Sequence, residues 1–295
     1  MAQRRDWFFI VILIAAAGVM MFFLFTFFFG LPNNGDLELS GSGRIGLVEV
    51  KGVIFDSERT VKLLDRFRED ESIQAVLLRI DSPGGGVAAS QEIYEAVRRV
   101  RESGKFIIAS MAGVAASGGY YVACGADTIM ANPGTTTGSI GVIAEMMDAS
   151  ELLRKLGIQF NVIKSGPYKD SGTPFRKMNE EDRRYLQRYV NDAYQQFVAV
   201  VAKERDKPLD EVLKYADGRI YTGQQAKDID LIDLLGTYTD AVELAAQVVG
   251  LEGKPRLVTE RRQRRTTIWD LIFGDLEGHL ARLQSLPVLR YQMVL

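Results

Sequence analysis

The sequence predicts an α/β domain around a largely parallel sheet. Short β-type apolar runs alternate with stretches of helical spacing from Ile45 to about Gly250. One of them, AVLLRI (Ala75–Ile80), is almost continuously apolar, as a strand covered on both faces must be. Two glycine-rich loops come after strands and lead into helices, so the strand–helix unit repeats. The chain has 295 residues, 47% of them hydrophobic, which is enough to bury a sizeable core.

In chain order, IGLVEVKGVI (residues 45–54) reads as the first strand. Ser57 to Glu69 has helical spacing, with Val61, Leu64 and Phe67 inward. AVLLRI is the second strand. Ala88 to Arg101 is an amphipathic helix with Ile93, Val97 and Val100 on one face, and KFIIASM (residues 105–111) is the next strand. A Gly/Thr-rich passage, NPGTTTGSIGV, leads to a helix near Ser150–Leu156 and a strand QFNVIKSG (residues 159–166). A long helix runs from Asn179 to about Glu204. Asn179 is its cap, and the acidic residues of NEED sit in its first turn, where they complement the helix dipole. Apolar residues lie around much of this helix, which predicts packing on two sides. Shorter helices continue to Val249.

The two ends differ from this domain. Trp7 to Phe29 carries no charge and is long enough to span a hydrocarbon core of roughly 30 Å. Its bulky C-terminal end lacks a small-x-small cleavage pattern, so it reads as a retained transmembrane helix rather than a signal peptide. Arg4 and Arg5 precede it, which leaves residues 1–6 in the cytoplasm and the rest of the chain outside. Residues 30–43 are a Gly/Asn/Ser/Pro-rich linker, and the catalytic candidates fall within 44–250. Residues 251–295 begin with a basic connector carrying Arg256, Arg261, Arg262, Arg264 and Arg265. An amphipathic C-terminal helix comes next at 268–286, fit either to lie on an anionic membrane surface or to pack on a sister subunit. A formal net charge of −2 gives no electrostatic case for nucleic acid. The single cysteine, Cys124, excludes an intrachain disulfide and reads as a buried small hydrophobe.

The chemistry starts with glycine. DSPGGGV (Asp81–Val87) and ASGGYY (Ala116–Tyr121) both join a strand to a helix. Consecutive backbone N–H groups at a helix start can receive an oxyanion, and glycine lets a substrate come close. DSPGGGV alone is as readily a plain turn, and it lacks the phosphate-loop pattern GxxxxGK[ST]. Ser117 stands at a helix start with small residues on both sides, where a nucleophile would be placed, although a bare ASGG also suits tight helix packing. The single histidine, His279, lies in the C-terminal amphipathic helix, so a Ser–His–Asp triad has no base within the domain. Lysine is the alternative base. A free lysine is about one part in a thousand neutral near pH 7.4, and burial that lowers its pKa to roughly 7–8 recovers most of that deficit. Lys169, in the Gly/Pro-bounded loop SGPYKDSGTPFR, is the candidate, and Lys164 is the rival. HExxH and Cys/His clusters are absent, so no metal or organic cofactor is called for.

LLRIDSPGGGV, GVAASGGYYVA, TGSIGV, IKSGPYKD and DGRIYTGQQAK, in this order, resemble the bacterial signal peptide peptidases of the SppA type, also called protease IV. The resemblance covers roughly Gly46 to Ala246. It implies a Clp/crotonase-like α/β fold and a Ser/Lys dyad. Ser117 is then the nucleophile, Lys169 the general base and Ser139 the serine that orients the lysine amine. Gly84, Gly85 and Gly118 supply oxyanion N–H groups. It further implies an inner-membrane endopeptidase facing outward that degrades remnant signal peptides and other hydrophobic peptides. The chain is about half the length of the family's duplicated form, which implies a homo-oligomeric ring or dome with active sites shared between subunits. The extension after Lys254 departs from the family pattern. A Ser/Lys protease for one membrane-protein substrate and a catalytically silent peptide-binding scaffold are the alternative readings. An acyl-CoA enzyme is weaker still, since an outward-facing domain has little access to CoA.

Overall fold

A computed structural model describes residues 44–260 and 290–292. The expected anchor at 7–29, the linker at 30–43 and the amphipathic helix at 268–286 with His279 lie outside these residues. Among the described residues no helix is long and apolar enough to cross a membrane.

The elements run β1 (Arg44–Lys51), α1 (Glu58–Glu69), β2 (Ile73–Ser82), β3 (Gly84–Gly86), α2 (Val87–Glu102), β4 (Phe106–Ala116) and α3 (Gly118–Ala123). Next come β5 (Thr128–Ala131), β6 (Thr136–Gly138), α4 (Ser150–Lys155), α5 (Glu180–Glu204) and α6 (Leu209–Val212). The remainder is β7 (Ile220–Thr222), α7 (Gly223–Asp228), β8 (Leu234–Leu235), α8 (Tyr238–Val248), β9 (Arg256–Val258) and β10 (Arg290–Gln292). The main sheet has the order β7-β6-β4-β2-β1-β9, and β5 joins β4 to β8. Every pairing in it is parallel except β6 with β7.

The continuous apolar run is explained by cover on both faces. Along β2, Val76, Leu78 and Ile80 join a core with Leu64 and Phe67 of α1, Val97 of α2 and Phe197 of α5. Ala75 and Leu77 point the other way, onto Ala241 and Ala245 of α8. The period of two thus buries every position between Ala75 and Leu78.

β4 runs further than the sequence indicates, because GVAA continues the strand past KFIIASM. It forks: Ile108–Met111 pair with β5, and Val114–Ala116 pair with β6. The register with β2 slips between Ile80 and Ser82 at the same place. Such irregularities bend a strand and re-aim its continuation, and here the end of β4 is carried alongside β6.

Two expectations are corrected. QFNVIKSG forms no strand. Ile158, Phe160, Val162 and Ile163 are exposed, with no sheet partner among the described residues. Alternating apolar residues show that a segment is able to pair, but a strand also needs a neighbouring edge. The long helix packs on two sides, against α2 and the α6 region, only along its C-terminal half. Ala193, Phe197, Val198 and Val201 of α5 are buried, whereas Tyr185 and Tyr189 are exposed, so only the C-terminal half lies over the core. Its start is as expected: Asn179 and Asp182 form a reciprocal capping box.

Candidate active site

β4 delivers Ser117 to the start of α3. The residue has φ 53° and ψ −117°, outside the helical and extended regions. Holding a non-glycine residue there costs of order 1–3 kcal/mol, and the surroundings enforce it. The Ser117 N–H donates to the Gly138 carbonyl at 2.7 Å, and its carbonyl accepts from the Tyr121 N–H at 2.9 Å. The two tyrosines behind it are anchors. Tyr120 Oη donates to the Leu231 carbonyl at 2.8 Å. The Tyr121 ring packs edge-on against Tyr94 and Phe197, with centroids 5.2 and 5.0 Å away. Small residues are needed here as well, since a Cβ on Gly119 would stand 2.9 Å from the Ser82 carbonyl. Cys124, at the end of α3, is the buried small residue expected, and burial pushes its thiol up to about 12.

Ser117 Oγ is buried and has no hydrogen-bond partner among the described residues. A buried hydroxyl without a partner costs about 1–3 kcal/mol.

Ser139 lies beside it. Ala116 and Gly138 are paired across β4 and β6, so Ser117 and Ser139 are the next residues of two adjacent strands. Ser139 also has positive φ, 52°, and its N–H donates to the Arg219 carbonyl at 2.8 Å. It opens onto a cavity of about 760 Å³ between the β6–β7 region and α5, lined in part by Val142, Tyr194, Arg219 and Ile220.

The glycine loop borders the same region. Gly84 has φ 98°. Its N–H donates to Ser82 Oγ at 3.1 Å, and its carbonyl accepts from Ile54 N–H at 2.9 Å. Gly86 N–H donates to the Ile54 carbonyl at 2.8 Å. Strand alternation turns the Gly85 amide to the opposite side, where Tyr291 of β10 is its antiparallel partner. Gly85 has to be glycine, because a Cβ would come within 2.1 Å of the Ile54 carbonyl. Of the expected oxyanion donors, then, the Gly84 amide is engaged by Ser82, and the Gly85 amide is turned toward β10. Gly118 opens α3, where first-turn amides have no intrahelical acceptor.

Lys169 is not part of this cluster. It is exposed and makes no hydrogen bond to Ser117 Oγ. The loop around it is nonetheless ordered by polar contacts. Lys164 Nζ donates to Asp170 Oδ1 at 2.5 Å and to the Pro167 carbonyl at 3.0 Å, so the rival lysine is engaged locally. Arg176 grips Asp170 through Nε and Nη2 at 3.0 and 2.9 Å, and reaches Asp182 Oδ2 through Nη1 at 2.5 Å. Ser171 Oγ donates to Asp182 Oδ1 at 2.6 Å. Tyr168 Oη donates to Glu181 at 2.7 Å, and its ring stacks on Tyr185. The Arg176 guanidinium holds the Asp170 and Asp182 carboxyls well below the usual carboxylate range. Sequence reading missed this network. Its one available signal was the arginine in YKDSGTPFR, which meets Asp170 and Asp182 only through the turn of the loop. Among the described residues no group of His, Cys, Asp or Glu is arranged to hold a metal.

The profile of peptidase family S49 matches residues 99–252, a span that contains Ser117, Ser139 and Lys169. The profile of the Clp protease family matches residues 55–137. A protein of Synechocystis sp., provisionally named a protease, is 45% identical over 71% of this chain and 76% of its own length. A protein of Enterococcus faecium, provisionally named signal peptide peptidase SppA, is 40% identical over 64% of this chain and 55% of its own. Protease 4 of Salmonella typhi is 30% identical over 80% of this chain, which spans 39% of that longer protein.

Proposed function

The chain belongs to peptidase family S49 and is a serine-type peptidase with a Clp-like α/β fold, and on that premise we propose a membrane-anchored endopeptidase working through a Ser117–Lys169 dyad. The observation that carries this reading is the buried, partnerless Ser117 Oγ on its forced backbone, beside Ser139 and the glycine amides. Lys169 stands in solvent on an ordered loop, which supports its delivery by a second copy of the chain. Each copy would then supply a serine to one site and a lysine to the next, and a closed ring satisfies every site.

The neutral Lys169 amine takes the Ser117 proton, and Ser139 orients it. Ser117 Oγ attacks the peptide carbonyl carbon, and the C=O electron pair becomes an oxyanion received by the Gly118 amide at the start of α3, with the β3 glycines bordering it. The ammonium returns its proton to the leaving amine as the C–N bond breaks. Water, deprotonated by the same amine, hydrolyses the acyl-enzyme. Substrate is an extended peptide lying along β3. The pairing of β10 with β3 supports this, since a substrate strand would take the place that β10 holds on that edge. The anchor at 7–29 would place the site at the membrane, among hydrophobic peptides such as signal-peptide remnants.

The test uses the full-length protein in detergent and a fluorogenic hydrophobic peptide. Ser117→Ala and Lys169→Ala should each lose at least about 10³-fold in kcat. Mixing the two inactive proteins before assembly should restore part of the activity, because some sites receive both intact residues. Full activity in Lys169→Ala would sink the dyad, and failure of the mixture to recover would place both residues within one chain.

A further inference from the structure

Lys169 sits between anchored neighbours. Tyr168 is held to Glu181 and Tyr185, Asp170 to Lys164 and Arg176, and Ser171 to Asp182. Glu181, Asp182 and Tyr185 all belong to the first turns of α5. The backbone is closed as well, with Lys169 N–H donating to the Gly166 carbonyl and Ser171 N–H to the Tyr168 carbonyl. The lysine side chain is thus the free end of a loop fixed on both sides.

One side chain joins the pieces. Arg176 contacts Asp170 with a bidentate grip and Asp182 with its remaining nitrogen, and so ties the residue beside Lys169 to the capping box of α5. A planar guanidinium can hold two carboxylates in fixed geometry, which an ammonium cannot do.

We propose that Arg176 is the positioning residue of the general base, locking the Lys169 loop onto α5. This rests on the dyad reading above. The other charged or titratable groups facing the loop are Tyr168 and Lys177 on the loop itself, Glu151 on α4, and Glu181, Arg184, Tyr185 and Arg188 on α5. None of them bridges Asp170 and Asp182.

The experiment measures kcat and KM across pH 6–10 for full-length Arg176→Met, Arg176→Lys and Asp182→Asn in detergent, with thermal melts and assembly state alongside. Arg176→Met should lower kcat by about 10²-fold, the scale of a misplaced catalytic group, with KM little changed. Arg176→Lys should recover only part of kcat, since it returns the charge without the bidentate geometry. Asp182→Asn keeps the Arg176–Asp170 pair and should lower kcat by a smaller factor, and it carries the test if Arg176→Met does not fold. An assembled, folded Arg176→Met or Asp182→Asn enzyme with wild-type kcat overturns the proposal. The dyad reading fails separately, through an active Lys169→Ala.

Discussion

The serine and the lysine are held by opposite means. Ser117 is the end product of the core. Its strand pairs on both sides, its helix is pinned by Tyr120 and Tyr121, and its backbone strain is borne by a hydrogen bond to Gly138. Lys169 stands on a segment outside the sheet, where charged pairs and exposed stacked rings, such as Phe160 on Phe175, replace burial. Apolar packing is insensitive to salt and fixes position without outside help. A half-exposed ionic network fixes a loop while leaving its apolar surface uncovered. The first region is closed over by its own core, and the second leaves large apolar side chains exposed.

That contrast can be broken at its rigid end first. Gly85→Ala would place a methyl carbon against the Ile54 carbonyl, so β3 has to shift. Activity on the fluorogenic peptide should drop by about 10²-fold while circular dichroism stays close to wild type. Unchanged kcat/KM would mean that the glycine strand is not part of the site.

Stability gives a graded comparison. Leu78→Ala, in the buried face of β2, should cost roughly 2–5 kcal/mol in urea unfolding. Ile163→Ser, at a fully exposed position (102% relative exposure), should cost less than about 0.5 kcal/mol. It should instead weaken self-association in sedimentation. Equal unfolding costs would erase the distinction between the two regions.

The smallest effect is with acid. Asp170 and Asp182 have depressed pKa values in the folded chain. Their contribution is complete above the unfolded value, near pH 4, and is lost as pH falls through the lowered folded values. Hydrogen exchange in residues 164–176 should therefore quicken below about pH 4, before exchange in β2 and β4 does. Simultaneous opening of both regions would show that the loop is not a separate unit.

Legibility in the sequence divides along the same line. The strand–helix frame was readable because helices show a 3.6-residue spacing, as at Ile93, Val97 and Val100, and a strand covered on both faces shows an unbroken apolar run, as from Ala75 to Leu78. Ser117 was signalled by small neighbours at a helix start, a pattern that tight helix packing also produces, and Ser139 only by the resemblance carried by TGSIGV. The fork of β4 was not, because a register slip leaves no compositional trace. QFNVI was misread because its alternation is real but no edge is offered to it among the described strands. Arg176 was invisible as a keystone, since its partners come from two directions that only the folded loop unites. β10 lies in a stretch read as an amphipathic tail, and its pairing with three glycines depends on backbone groups that no side chain advertises.

The burial of Cys124 has a practical consequence. It is the single thiol of the chain, enclosed at the end of α3, and raised far enough that almost none is thiolate at neutral pH. A maleimide dye therefore has one address and no access to it while the core is closed. Its rate of attachment is a clock for the opening of the serine-bearing half alone, readable in the intact protein without introducing any label site.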